Sequence, residues 1–572
     1  MPNNQGQPQG QTLPLHAVKA LIVDDQRLAT TMLKSILQQI GLTHINTAYD
    51  HQQAQQHCEH IAYDVLLIDY HLEGPLTGTE LINLLRRRKL VSPYCGIIMI
   101  SGDHSAEVIL TSMSVEPDCF MAKPITADMV KAKLLSTLEE CALRAPVYKA
   151  LLKQDRQQAI AVCKKQLMHT GYHHKLEGLL LDLLIEDGQW RQAEKYASIL
   201  RKHHPSPRLS LISAKILHHN NQLKAAIHLL ECQLQQSPLH IELYDYLASY
   251  QEQDKAYYDA LSCAQKALKL TPSISHRALK VAQLAADLDR VEQVLKAGQN
   301  LANHLPIIDV EWIICLAEYM AIFEQVYFSQ PSLSQRQHLK LELQKINKRA
   351  HSRVMPAQEP FLNAYSHIFM SRLLLGNAQP LKAKRRLLLG LSPFFNKIPQ
   401  LPSVILADTL PLLIHLGETQ LISSIMQAIE KRNRFDGHSQ NRLSDIKQQT
   451  HLAERIKQLE EQLSEAYRVL QTSSEQAFPR YQKIVHEYPL CSEANLGFLQ
   501  CMLDLNTGSE EDIKHNMKAI SSMPLPNDLE NWRKELLEGM ISKKASPHQH
   551  RVALTYKKQT QRFLDTETTS AG

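Results

Sequence analysis

Aromatic residues are few in this 572-residue chain, 6% of positions with 3 Trp, which disfavours a large all-β architecture built on aromatic strands. Glycine is sparse too, at 19 residues against 26 prolines. With 44% hydrophobic and 21% charged residues, the composition excludes a collagen-like fibre and a mostly disordered chain. The 10 cysteines form no Cys-x-x-Cys pair, so neither a disulfide framework nor a zinc ribbon is expected. Scattered thiols of this kind point to a reducing compartment, the cytoplasm. No charge sign dominates: 63 Lys+Arg against 58 Asp+Glu leave +5, too dilute to imply nucleic acid or an anionic membrane as partner. No basic-then-apolar leader follows Met1, and the most apolar stretch, 176–185, is broken by Glu177 and Asp182, so no membrane span is expected. Missing as well are Gly-x-Ser-x-Gly, a Gly-Lys-Ser/Thr phosphate loop, His-Glu-x-x-His and a basic recognition-helix module near the C-terminus. Hydrolase, nucleotidase, zinc-protease and DNA-binding readings therefore lack support.

What is present is helix-forming composition, rich in Leu, Ala, Gln, Lys and Glu, with a different pattern near the start. Residues 1–14 contain eleven Gln, Asn, Pro or Gly, and 1–16 read as a disordered leader. Over 17–143 short apolar runs alternate with amphipathic segments: Ala20–Val23, Ile45–Ala48, Asp64–Ile68, Gly96–Ile100 and Cys119–Met121 each precede a helical pattern. Five βα units predict a doubly wound parallel sheet, in which ligands collect at the carboxyl ends of the strands. Those ends carry Asp24 and Asp25, then Asp69, Ser101 and Lys123. Crowded carboxylates repel unless a hard cation sits among them, and a site with few protein oxygens suits Mg²⁺. Ser101 and Lys123 could hold phosphoryl oxygens, leaving Asp69 as the nucleophile for phosphoryl transfer.

Four stretches, LIVDD (Leu21–Asp25), VLLIDYHL (Val65–Leu72), IIMISG (Ile97–Gly102) and FMAKPI (Phe120–Ile125), resemble in order the receiver domain of two-component response regulators. The resemblance implies a flavodoxin-like fold with Asp69 as phosphoacceptor and a histidine kinase as donor. It also implies Mg²⁺ on Asp24, Asp25, Asp69 and the His71 carbonyl, with Lys123 contacting the phosphoryl group. Ser101 would be the switch hydroxyl and Phe120 the switch aromatic, although Phe120 could serve as core alone. His71 and Asp103 stand where this family tunes phosphoryl lifetime. The loop HLEGPLTG after Asp69 is about two residues longer than usual in this family, and Phe replaces the commoner Tyr at 120.

Beyond residue 145 the pattern becomes helical. Prolines at 205, 238, 272 and 306 are spaced 33, 34 and 34, with Ala193, Ala226 and Ala260 twelve before the first three and Ala214, Ala248 and Ala282 twenty-four before the last three. Small residues at fixed offsets let paired helices approach, and this pattern resembles tetratricopeptide repeats. The expected solenoid spans 145–540, clearest over 171–306, with an unidentified protein as partner. Leu452, Ile456, Leu459, Leu463, Ala466 and Leu470 form a heptad seam within 446–470, serving either a homodimer or internal packing. The segment 541–572 reads as a basic polar tail. The expected protein is a non-enzymatic phosphorelay regulator in which phosphorylation of Asp69 alters partner binding by the repeats. A phosphate sink competing for a kinase, or an unrecognised enzymatic output in 309–540, are the alternatives.

Overall fold

The computed structural model describes residues 14–541 and 549–556. Residues 1–13 of the expected leader and the tail cations Lys543, Lys544, Lys557, Lys558 and Arg562 lie outside the described residues. Two compact units divide at Asp309 and Val310. Leu15–Ala17, inside the stretch read as leader, form a 3-10 turn because Leu15 packs on the core of the following sheet.

Strands β1 (Lys19–Val23), β2 (His44–Ala48), β3 (Val65–Asp69), β4 (Gly96–Ser101) and β5 (Cys119–Ala122) make one parallel sheet in the order β2-β1-β3-β4-β5. Helices α1 (Arg27–Ile40), α2 (His51–His60), α3 (Gly78–Arg87), α4 (Ala106–Met113) and α5 (Ala127–Leu152) connect and flank it. The apolar runs of β1, β3 and β4 suit strands covered on both faces, and β3 and β4 are buried throughout. Register aligns the strand ends: Val23 lies beside Ile68, Asp69 beside Ile100 and Ser101 beside Ala122. The polar residues at these ends are thereby drawn to one edge.

Helix α5 is longer than its sequence pattern indicates. Its first half places Val130 and Leu134 in the sheet core, and its second half places Val147 and Ala150 in the core of the helices that follow. The position expected to close the first domain, near 143, is thus mid-helix.

Helical hairpins follow: α6 (Arg156–Thr170) pairs with the end of α5, then α7 (His174–Glu186) with α8 (Trp190–His203) and α9 (Pro207–His219) with α10 (Leu223–Gln236). Next come α11 (Ile241–Gln253) with α12 (Tyr257–Leu270) and α13 (Ser275–Asp287) with α14 (Val291–Asn303). Ala193, Ala226, Ala260, Ala214 and Ala282 are fully buried, which explains the need for small side chains at those offsets. Each hairpin turns through a left-handed residue: Gln154, Gly188, Asn221, Lys255 and Asp289. There the chain closes a Schellman motif, as where Lys255 N–H donates to the Glu252 carbonyl and Ala256 N–H to the Gln251 carbonyl.

The second unit contains α15 (Glu311–Ser329), α16 (Leu333–Arg353), α17 (Glu359–Gly376), α18 (Pro380–Leu391), α19 (Ser403–Leu416) and α20 (Thr419–Glu430). It continues through α21 (Gly437–Gln448), α22 (Thr450–Leu470), α23 (Ser474–Glu487), α24 (Ser492–Asp504), α25 (Glu510–Ile520) and α26 (Asn527–Ile541). The architecture beyond the sheet is all-α and consistent with a repeat solenoid. Of the heptad seam, Leu459, Leu463 and Ala466 are buried as α22 packs on α20, α23 and α24, while Leu452, Ile456 and Leu470 are half-buried. Among the described residues no helix is long and apolar enough to cross a membrane.

Lys255 holds φ 64°, a conformation that costs an L side chain about 1 kcal/mol and glycine almost nothing. Lys255→Gly is expected to leave stability unchanged or raise it by up to about 1 kcal/mol, read as the urea midpoint at constant slope, because glycine's greater freedom when unfolded offsets part of the gain.

Candidate functional site

The aligned strand ends converge on Lys123. Its Nζ stands 2.7 Å from Asp69 Oδ1 and 3.0 Å from Asp24 Oδ2, bridging two carboxylates that are 5% and 1% exposed. Backbone donors fix the remaining oxygens: Gln26 N–H donates to Asp24 Oδ1 at 2.9 Å and His71 N–H to Asp69 Oδ2 at 3.1 Å. Lys123 is itself tied to β4 through its N–H to the Ser101 carbonyl, 2.8 Å, and its peptide bond to Pro124 is cis.

Burial pushes the Asp69 carboxyl above its ordinary range, with the Asp24 charge adding to the push and Lys123 opposing it. Burial pulls the Lys123 ammonium down, but hydrogen bonds and charge from Asp69 and Asp24 overcome this and raise it. The site therefore stores uncompensated negative charge around a desolvated oxygen. A hard divalent cation would relieve that charge, so the donors fit one chemically. Among the described residues no three carboxylate, imidazole or thiolate groups form a ready-made cage.

The other expected residues lie around this pair. Asp25 is half-buried beside Asp24. Ser101 is fully buried, and its hydroxyl is engaged with the Asp103 backbone, donating to the carbonyl at 3.2 Å and accepting from the N–H at 3.0 Å. Phe120 is half-buried on β5 opposite Met99. His71 and Asp103 face each other across the two loops, Nε2 to Oδ2 3.7 Å. The backbone N–H and hydroxyl of Ser105 hold the Asp103 carboxyl below its usual range.

One requirement escaped the sequence pattern. A Cβ on Gly78 would fall 2.2 Å from the Asp69 carbonyl oxygen, so glycine alone lets α3 start against the strand end. The Gly78 N–H donates to the Tyr70 carbonyl at 2.8 Å, and a Thr77–Glu80 capping box sets the helix start.

The sequence model described as the response regulator receiver domain matches residues 20–135. The chain carries an N-terminal CheY-like receiver domain. Over 122 residues it is 25% identical to the chemotaxis protein CheY of Pseudomonas aeruginosa, covering 21% of this chain and 97% of that protein. Over 184 residues it is 24% identical to the sensory/regulatory protein RpfC of Xanthomonas campestris pv. campestris, covering 32% of this chain but only 23% of that protein. Among solved structures, the signal receiver domain of a modulated diguanylate cyclase from Desulfovibrio desulfuricans is 26% identical, covering 22% of this chain and 96% of that one, with a TM-score of 0.20.

Two outcomes follow from the receiver's geometry. Gly78→Ala is expected to cost about 1–3 kcal/mol, measured by urea unfolding, since strand or helix must shift to admit the methyl group. Because the folded Asp69 pKa lies above the unfolded one, its contribution favours folding at low pH and is lost as pH rises through the folded value. Asp69→Asn should therefore raise the thermal midpoint at pH 7, and the gain should vanish below the model-compound value of 3.8.

Proposed function

We propose that the receiver takes a phosphoryl group onto Asp69 from a phosphohistidine of a histidine kinase and that this state alters partner binding by the tetratricopeptide-like hairpins. A receiver domain supports phosphorelay in general. The observation that carries the assignment of Asp69 is the Lys123 ammonium shared between it and Asp24. In the transfer an Asp69 Oδ–P bond forms as the N–P bond of the donor breaks, and the imidazole leaves with its electron pair and takes up a proton.

Half-buried, with two backbone-anchored carboxylates beside it, Lys123 is positioned to meet charge developing on the transferred group without reorganisation. Mg²⁺ would be held by Asp24, Asp25, Asp69 and the His71 carbonyl, and would supply further neutralisation of phosphoryl charge. The Ser101 hydroxyl, now bonded to the Asp103 backbone, is the group available to turn towards a phosphoryl oxygen, with Phe120 as the accompanying aromatic. The His71–Asp103 pair, in the loops that follow β3 and β4, would set how readily water removes the group. On this reading the chain acts by signalling and binding in the cytoplasm, without a catalytic output.

Incubation with acetyl phosphate and Mg²⁺ should add one phosphoryl group, located by mass spectrometry on Asp69. Asp69→Ala should abolish the label and Lys123→Ala should slow its appearance by about a hundredfold. Equal labelling of Asp69→Ala and wild type would refute the assignment.

A further inference from the structure

The apolar seam of α22 is covered over its second half, where Leu463 and Ala466 are buried against neighbouring helices. Its first half opens elsewhere. Leu452 and Ile456 are half-buried and, with Leu459, line a groove of about 1180 Å³ within the second unit. The other walls come from the start of α18, the end of α19, the middle of α21 and the end of α23, with Ile414, Leu416, Ile446 and Pro489 among the apolar contributors. Small-molecule sites occupy about 300–1,000 Å³, so a groove of this size suits a stretch of peptide.

Two polar arrangements hold the groove in shape. Helix α21 buries only His438 and Ser439, and charge ties it down instead: His438 Nε2 stands 3.0 Å from Asp408 Oδ1, and Arg442 Nε stands 3.2 Å from the same oxygen. Arg442 NH2 also lies 3.4 Å from Glu324 Oε2, so the charge of this lining residue is already answered by two carboxylates. On α22, Arg455 donates to the Tyr488 hydroxyl at 3.2 Å and lies over the Tyr488 ring, 5.8 Å from its centre. Tyr488 in turn rests on Gly417, where a Cβ would come 3.0 Å from the ring. A groove fixed in this way has little freedom to lose on binding.

Leu452, Ile456 and Leu459 step by four and three, the spacing at which one helix offers knobs to another, so the matching ligand is a helix with apolar residues at the same period. Arg455 flanks that row, and Lys382, His415 and His515 add basic groups to the rim, against Asp445 and Glu487. Neither Lys382 nor Arg455 has an acidic partner among the described residues. In a helix pair the positions beside the apolar row meet charge of opposite sign, which calls for acidic flanks on the ligand. We propose that this groove binds an amphipathic helix of another protein, with apolar residues against Leu452 and Ile456 and acidic residues against Arg455 and Lys382. The site lies wholly within the second unit and stands independently of the phosphoacceptor reading.

Selection from a phage-displayed library of random peptides, about four helical turns long, against the full-length chain tests this. Enriched peptides should carry apolar residues three and four apart with Asp or Glu beside them, and should bind Ile456→Glu about tenfold or more weakly than wild type. The same peptides should bind Arg455→Glu about tenfold more weakly, and a fresh selection against that variant should replace their acids with Lys or Arg. Arg455 is exposed, so its variant decides the matter even where Ile456→Glu disturbs packing. No enrichment, enriched peptides without acidic flanks, or affinity unchanged in Arg455→Glu would overturn the proposal. Competition by a synthetic peptide of residues 557–572, or a concentration-dependent dimer abolished by Arg455→Glu, would assign the groove to this chain itself and overturn it equally.

Discussion

A single ammonium group organises the receiver's acidic edge. Two carboxylates buried side by side would repel and would each seek water or a proton. Lys123, entering from the end of β5 on the far side of β4, offsets that repulsion by pairing with both. The rest of the edge is arranged so that this ammonium can reach them. Parallel register brings the ends of β1, β3 and β5 to one level, the Ser101 carbonyl holds the Lys123 backbone, and Gly78 clears space for α3. Compensation is incomplete, because Asp69 remains harder to ionise than a free carboxylic acid. A carboxylate so placed gains from any additional positive charge, the property on which the proposed sharing of a metal ion and a phosphoryl group at one place would rest.

Much of this edge was legible because strand ends in a parallel sheet are marked by a change from apolar to polar residues. Asp24, Asp69, Ser101 and Lys123 each stand directly after, or at the last position of, an apolar run. The requirement at Gly78 was hidden because it depends on the distance between two backbones that are adjacent only after folding. The contact between Thr111 of α4 and Ser273 of the α12–α13 turn was hidden for a related reason, since its two hydroxyls stand 162 positions apart in the chain.

Among the hairpins, the proline and alanine offsets were visible because small residues and helix breakers recur at fixed intervals. The left-handed turn residues recur just as regularly, but Gly188, Asn221, Lys255 and Asp289 share no side-chain type, so the backbone carries a period that the letters do not. Composition also conceals polar groups buried in the second unit. Lys384 is fully buried, paired with Glu418 at 2.8 Å and donating to Ser492 and the Ala519 carbonyl. Asp408, also buried, collects Arg372, Arg442, His438 and Tyr365. Charged residues in a helical sequence read as solvated faces, and only the packing of several helices around them makes them interior.

Helix α5 carries two cores on one rod, Val130 and Leu134 at one end and Val147 and Ala150 at the other. Each residue inserted between them would advance one core by about 1.5 Å and swing it about 100° around the axis. A single-residue insertion would aim the sheet's acidic edge elsewhere, whereas seven residues, close to two full turns, would come nearly back to the starting azimuth with a longer lever. The span between the two cores therefore acts as a phase setting, and exchanging receivers between chains of this build succeeds only when helical periodicity is kept across the splice.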